Sequence, residues 1–364
     1  VKSVVVPNTG GMKGIQAAVA AGIVAGKAEK RLEVISEVTE EECREIQQYA
    51  EQTEIEIYHL NSEHVFDILI TAFCGEDTAK VRITNYHTNI VLEEKNGKTL
   101  LETMVEGDHE EGLTDRSLLD MEDIWDFAMT CDIADVKDIL DHQVNCNMAI
   151  AEEGMKHPYG ACIGQVLLDA WGDGIRNRAC AKAAAGSDAR MSGCELPVVI
   201  NSGSGNQGIT CSVPVVEYAK ELQSGEEKMY RALTLSNLVA IHQKTGIGRL
   251  SAFCGAVCAG IAAGTGIAYL RGGNYKEVTH TIVNGLAIVS GIICDGAKPS
   301  CAAKIASSVN AGILGYEMYI RGQQFYGGDG LVAKGADNTI RNIGRLGKDG
   351  MAGTNDEIIK IMIE

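Results

Sequence analysis

Residues 251–270 carry no charged side chain and include Gly255, Gly260, Gly264 and Gly266. A stretch of that length and apolarity belongs either in a bilayer or at the centre of a helical protein. No aromatic belt flanks it, and its glycines invite close helix contact, so it reads as a buried central helix. Other helices must then surround it, and the sequence supplies them. Apolar residues recur at three- and four-residue intervals over 118–129, 133–155, 163–171, 208–222, 228–243, 255–270, 275–289 and 302–320, with a polar tail beyond. Only 5% of the 364 residues are aromatic. With Ala and Gly in their place, the helices are expected to approach tightly around a narrow polar interior.

Ahead of these helices the pattern changes twice. A small-residue helix over 11–30 is entered through the turn Pro7-Asn-Thr-Gly-Gly11. Leu32-Glu-Val-Ile then reads as a short strand, and Thr39 with Glu42 makes a capping box for a helix to about Glu51. Residues 55–60, 66–71, 79–84 and 89–94 alternate apolar and polar side chains as half-buried antiparallel strands do, and Asn96-Gly97 signals a tight turn. An acidic loop over 106–115 closes the region. The expected fold class is therefore α+β. A mostly helical catalytic domain, residues 1–31 and 116–364, carries an inserted small antiparallel α+β subdomain at 32–115.

Net charge is −17, from 49 acidic against 32 basic residues. That field repels phosphate backbones and anionic lipid surfaces, which argues against nucleic acid and membranes as partners. Hydrophobic residues reach 45%, enough for one large core or two smaller ones. The twelve cysteines are dispersed, with no secretory leader, and read as reduced thiols of a cytoplasmic protein, some of them metal ligands. Apolar small-residue helix surfaces suit a homodimer. The sequence opens at Val1 in what reads as a strand in progress, the mark of a fragment or a processed product.

Two thiol-bearing segments carry the chemistry, Ser251-Ala-Phe-Cys254-Gly-Ala-Val-Cys258 and Cys294-Asp-Gly-Ala-Lys298-Pro-Ser-Cys301. Thiolates hold iron–sulfur clusters, and an iron without a protein thiolate can accept a substrate oxygen, sulfur or carboxylate. Spacing by itself is met equally well by small buried thiols in a core. His59, His64, His109, His142, His157 and His280 show no metal-ligand spacing.

Five motifs run in order along the chain: Pro7-Asn-Thr-Gly-Gly-Met-Lys-Gly14, Ser187-Asp-Ala-Arg-Met191, Ser202-Gly-Ser-Gly-Asn-Gln-Gly208, Lys244-Thr-Gly-Ile-Gly-Arg-Leu-Ser-Ala-Phe-Cys-Gly255 and Cys294-Asp-Gly-Ala-Lys-Pro-Ser-Cys-Ala-Ala-Lys304. In these the chain resembles the L-cysteine desulfidases, relatives of the iron–sulfur L-serine dehydratase α chain. The resemblance implies an oxygen-sensitive [4Fe-4S] lyase that takes a small amino acid and releases sulfide or water, leaving pyruvate and ammonia. It places two cluster ligands at Cys254 and Cys294. The family's third ligand lies in an N-terminal Gly-Cys-Thr-Glu-Pro type motif that does not occur here. Either a missing N-terminal segment supplies it, or another thiol substitutes, with Cys301 the nearest candidate.

For the substrate, Ser202, Ser204, Asn206 and Gln207 follow the apolar stretch Pro197-Val-Val-Ile200 and precede a helix whose first amides can hold an anion. An ordinary strand-to-helix turn would look the same. Lys298 is read as a base or as a balancing charge, the latter preferred. Thr9 and Lys13 resemble an anion-holding loop, Arg249 and Arg190 are carboxylate or salt-bridge residues, and His87 is a further candidate between two strands. His242, near a helix end, is read as a C-terminal cap or a catalytic group. L-serine is the alternative substrate. A pyridoxal-phosphate β-eliminating lyase is a second alternative, since Ser202-Gly-Ser-Gly-Asn resembles its substrate loop. That enzyme requires a doubly wound core, which the helical pattern contradicts. A non-catalytic metal or redox-sensing protein would need the cysteines alone.

Overall fold

A computed structural model describes residues 4–60, 62, 64, 66–103, 114–248 and 250–363. The chain divides into two compact units, one of Val6–Asp115 with Asp356–Glu364 and one of Val1–Val5 with Arg116–Asn355. The described residues are largely helical with one small antiparallel sheet, the α+β class expected from the sequence.

In the smaller unit, helix α1 (Gly14–Ala25) packs on α2 (Glu40–Gln52), with Ala17, Ala20, Ala21 and Ala25 burying their methyls around Ile46. The small-residue helix, grouped at the outset with the helical domain, thus has its core in this unit. The capping box forms as its sequence signature predicts: Glu42 N donates to Thr39 Oγ1 at 3.2 Å and Thr39 N to Glu42 Oε2 at 2.8 Å. Residues 32–35, expected as a strand, are instead part of a 3-10 segment, Ala28–Glu33, and the turns after it. There Lys27 N donates to Val34 O, and Lys27 and Lys30 both reach Glu37, closing the chain on itself.

Strands β1 (Asp67–Cys74), β2 (Asp77–Thr84), β3 (Ile90–Lys95) and β4 (Lys98–Glu102) form an antiparallel meander in the order β1-β2-β3-β4. Asn96 and Gly97 both take positive φ, 51° and 74°, the two-residue turn their sequence signals. Residues 55–60 form no strand, because β1 is an edge and nothing in the sheet pairs with them.

The larger unit is helical throughout: α3 (Met121–Thr130), α4 (Ile133–Lys156), α5 (Ile163–Trp171), α6 (Ile175–Met191), α7 (Gly205–Glu221), α8 (Glu226–Ile247), α9 (Gly255–Leu270), α10 (Tyr275–Val289), α11 (Cys301–Tyr319) and α12 (Ala336–Arg345). A last helix, α13 (Ala352–Ile363), replaces the expected polar tail, and its residues from Asp356 onward group with the smaller unit. Helix α9 is the centre. Every residue from Ala256 to Ala268 is buried, and α7, α8, α10 and α11 pack around it. A Cβ at Gly264 would stand 2.6 Å from the carbonyl carbon of Gly312, and one at Gly312 only 2.5 Å from Gly260 O, so α9 and α11 cross backbone to backbone. No described helix is long and apolar enough to cross a membrane.

His242 is not a cap. Its ring Nε2 lies 2.8 Å from Asp337 Oδ1, joining α8 to α12, and the same carboxylate accepts Met121 N of α3 at 3.2 Å. The His242 bond holds the Asp337 carboxyl below its usual range. A lowered folded value means stabilisation that is present above the ordinary carboxylate pKa of about 4 and lost as pH falls through the lower one. Solvent reaches this pair, so Asp337→Asn should cost no more than about 1 kcal/mol near neutral pH. Urea denaturation of both proteins should show that gap closing towards about pH 3; a gap independent of pH would contradict the assignment.

Candidate active site

Residues 197–200, expected as an apolar strand, pair with no strand among the described residues. Asn147 of α4, fully buried, takes the place of a ladder partner: Val199 N donates to its Oδ1 at 2.9 Å and its Nδ2 donates to Val199 O at 3.2 Å. A two-residue turn follows, closed by Asn201 N to Ser204 O at 3.1 Å and Ser204 N to Asn201 O at 3.0 Å. Ser202 and Gly203 at its tip have φ of 48° and 80°. Glycine accepts that region freely, whereas serine there costs about 1–2 kcal/mol. The turn is held by an amide network: Asn201 Nδ2 donates to Asn237 Oδ1 at 3.0 Å, and Asn237 and Gln143 exchange bonds at 2.8 and 2.9 Å.

Helix α7 starts immediately after, and no side chain caps its first turn. Ser202 Oγ donates to Asn201 Oδ1 at 2.9 Å. Asn206 Oδ1 accepts from Arg190 Nη1 at 3.2 Å, and a Cβ on Gly205 would lie 2.4 Å from Arg190 Nε, so the guanidinium lies over the helix start. Burial pushes Arg190 below the usual arginine range, and no carboxylate among the described residues pairs with it. Its neighbour Asp188 has a structural task, accepting Ile163 N at 2.7 Å and Ala161 N at 3.3 Å at the head of α5. Gln207 is buried at 6% exposure with its amide against Gly255, and its Oε1 has no hydrogen-bond partner among the described residues.

The two cysteines meet through a short antiparallel bridge in which Phe253 faces Ile293. Cys254 N donates to Ile292 O at 3.1 Å and Cys294 N to Ala252 O at 2.6 Å. These main-chain bonds bring the two side chains to neighbouring positions, close enough for each thiol to shift the other's ionisation. The Cys254 thiol draws Cys294 well below the ordinary thiol range against the effect of burial, helped by Gly296 N–H and by the charges of Lys244 and Lys304. The Cys294 thiol, then burial, pushes Cys254 up, so the first proton leaves Cys294. Cys301 opens α11. Its thiol donates to Gly296 O at 3.7 Å.

Lys298 is not free. It is paired with Asp295 and donates to Gly296 O at 3.3 Å, while Lys304 pairs with the same carboxylate and donates to Ile293 O at 2.7 Å. Burial opposes ionisation of Asp295, yet these two lysines outweigh it and hold the carboxyl at about 2. Sequence reasoning missed Lys244. It sits in the last turn of α8 at 4% exposure, without an acidic partner among the described residues, its charge felt by Cys258, Cys294 and Cys254. A lysine near a helix end reads as a cap, and only tertiary packing reveals that it is buried.

The arrangement favours anions. Helices α7, α9 and α11 begin at this site without a bond from the N-cap side chain, as do α1, α5, α6, α8 and α12 elsewhere. The dipoles of α7, α9 and α11 and the free first amides of α7 join Arg190 and Lys244, whereas the first amides of α11 are already taken by Lys298 O at 3.0 Å and Pro299 O at 3.1 Å. Two shallow clefts elsewhere, one lined by Asp132, Lys137 and Tyr230 and one by Lys276, His280 and Tyr319, contain none of these residues. Among the described residues, no three His, Cys, Asp or Glu side chains converge as a single metal ion would require. A cluster spreads its irons, so its thiolates need not meet at one point. The donor chemistry fits such an anionic group, with Cys254 and Cys294 adjacent and Cys301 the next thiol.

Thr9, Lys13 and His87 belong to the smaller unit. There the buried Thr9 hydroxyl donates to Val6 O at 2.7 Å, Lys13 is exposed at the start of α1, and His87 is exposed with its ring 4.9 Å from that of Phe66. Arg249 lies outside the described residues.

Residues 29–360 match the family described as serine dehydratase alpha chain. A UPF0597 protein of Desulfitobacterium hafniense is 61% identical, aligned over all of this chain and 84% of that protein. UPF0597 proteins of Lachnoclostridium phytofermentans and Treponema denticola are 47% and 45% identical, over all of this chain and 87% and 86% of theirs. No solved structure matches.

Proposed function

Because the chain belongs to the serine dehydratase alpha-chain family, we propose that it is an iron–sulfur-dependent lyase. In this reading L-cysteine and water become pyruvate, ammonia and hydrogen sulfide. The observation that carries the reading is the closeness of Cys254 and Cys294 at a place where the free first amides of α7 gather with Arg190 and Lys244, two buried cations that have no acidic partner among the described residues. Cys254 and Cys294 are assigned as thiolate ligands of a [4Fe-4S] cluster, with Cys301 as the third. Such a cluster supplies Lewis acidity towards the departing sulfur or oxygen.

The chain's own groups bind and orient. Arg190, steadied by Asn206, and the free amides of α7 suit the substrate carboxylate. Gln207 Oε1, a buried acceptor with no partner, suits the substrate ammonium. Ser202 and Ser204 flank that seat. Lys298, tied to Asp295, shapes the loop between Cys294 and Cys301 and balances charge there, in preference to removing a proton. The reduced thiols suit the cytoplasm. A pyridoxal-phosphate enzyme fits less well, since the sheet among the described residues is antiparallel and lies in the smaller unit. L-serine is the second substrate reading, favoured by the family's description.

Anaerobic reconstitution with iron and sulfide tests the reading. Iron and acid-labile sulfide should be retained, and pyruvate should form faster from cysteine than from serine; the reverse order selects the serine reading, and no iron or no pyruvate from either removes the lyase assignment. In the loaded enzyme, Arg190→Leu should raise KM about 10- to 100-fold, the ~1.5–3 kcal/mol of a charge-assisted bond. Iron content should not change. An unaltered KM would exclude Arg190 from the carboxylate seat.

A further inference from the structure

Lys244 is a buried cation to which the proposed reaction has given no task. Lys182, by contrast, lies between Glu152 at 2.7 Å and Glu217 at 2.9 Å, and Arg190, the other buried cation without an acid beside it among the described residues, donates to Asn206 at the carboxylate seat. Lys244 has no acid beside it among the described residues, although it is 4% exposed. On its own helix, Gln243 donates from Nε2 to Cys258 O at 3.2 Å, and its Oε1 has no hydrogen-bond partner among the described residues. Burial pushes Lys244 below the usual lysine range, and the titratable groups near enough to oppose this are Cys258, Cys294 and Cys254, which lie where this turn of α8 packs on α9 and on the bridge beside it. Burial pushes Cys258 up to about 11, which keeps it a neutral thiol.

An ammonium taken out of water without a counter-charge is costly, and native structures retain one where a charge of opposite sign joins it. The groups near Lys244 that can bring one are the paired sulfurs. We propose that Lys244 is the positioning cation of the thiol centre, its ammonium balancing the negative charge that Cys254 and Cys294 carry when they hold an iron–sulfur group. The assignment rests on the iron–sulfur reading given above. It adds a residue that touches neither the reacting carbon nor the carboxylate seat, and it predicts opposite effects on the empty and the loaded protein.

The test uses the full chain with Lys244→Met and Lys244→Arg, handled anaerobically. Two quantities are read: the melting temperature of the iron-free protein, and the rate at which a chelator strips iron after reconstitution. Lys244→Met should lose iron about 10- to 100-fold faster than the wild type, the range typical of residues that support metal ligands. Lys244→Arg, which keeps the charge, should stay close to the wild type. Iron-free Lys244→Met should melt at or above the wild-type temperature, because a buried lone charge has gone. If Lys244→Met keeps iron as the loaded wild type does, the inference is overturned and the iron–sulfur reading stands. Iron-free Lys244→Met melting well below the wild type would make Lys244 a packing residue and also overturn it. A wild-type chain that takes up no iron overturns the underlying reading and this assignment together.

Discussion

Cys294→Ser is expected to leave the chain folded and to strip it of iron, lowering pyruvate formation at least ~1000-fold, about 4 kcal/mol of transition-state stabilisation. The substitution keeps the main-chain bond from residue 294 to Ala252 O, so the bridge that seats the pair survives. A hydroxyl can still accept from Cys254. What disappears is the soft thiolate, which oxygen does not replace towards iron–sulfur centres. Cys258→Ser is the matched comparison, one helical turn along α9 and fully buried. It should retain iron while losing about 1–3 kcal/mol of stability from a poorly satisfied hydroxyl in an apolar site. Iron content by colorimetry, pyruvate formation and the melting temperature separate the two. A Cys294→Ser protein carrying wild-type iron would remove this cysteine from the ligand set.

Gly264→Ala should be among the most damaging single substitutions away from the thiols. An alanine inside a helix ordinarily gains about 1 kcal/mol over glycine. Here the added methyl would stand 2.6 to 2.7 Å from the carbonyl carbon, Cα and oxygen of Gly312. All three atoms are backbone, so no side chain can swing aside and the helices must separate. The expected loss is about 3 kcal/mol or more. Gly353→Ala in α13, with nothing within 4 Å of the new methyl, should be neutral or slightly favourable. Denaturation followed by tryptophan fluorescence is a direct readout, because both tryptophans, Trp125 and Trp171, lie in the larger unit. Equal stability of Gly264→Ala and wild type would contradict the backbone crossing.

Helices with a clear apolar stripe or a bounding glycine were legible to the residue, as at Ile163–Trp171, Gly255–Leu270 and Tyr275–Val289. Helix α6 was not, for a physical reason. Its residues from Ala183 to Ala189 are all buried, so no polar face contrasts with an apolar one and no period stands out. Thr39 with Glu42 and Asn96-Gly97 could be read because cap and turn depend on neighbours along the chain. Residues 32–35 and 55–60 could not, because alternation alone does not supply a strand with a partner. The same division runs through the candidate site. Cys254, Cys294, Asn206 and Gln207 stand out by their motifs, whereas the solitude of Lys244 and the claim of Asp295 on Lys298 arise only when distant segments pack.

Two of the helices that start at the site, α9 behind Cys254 and α11 at Cys301, are the pair that meets through Gly260, Gly264 and Gly312. Main chain resting on main chain leaves no compliant layer between them, so neither rod can slide along the other without breaking contact. The gauge between those two sulfurs is therefore machined into the interior, and a methyl group added several turns away would be felt as a misfit at the mouth of the site.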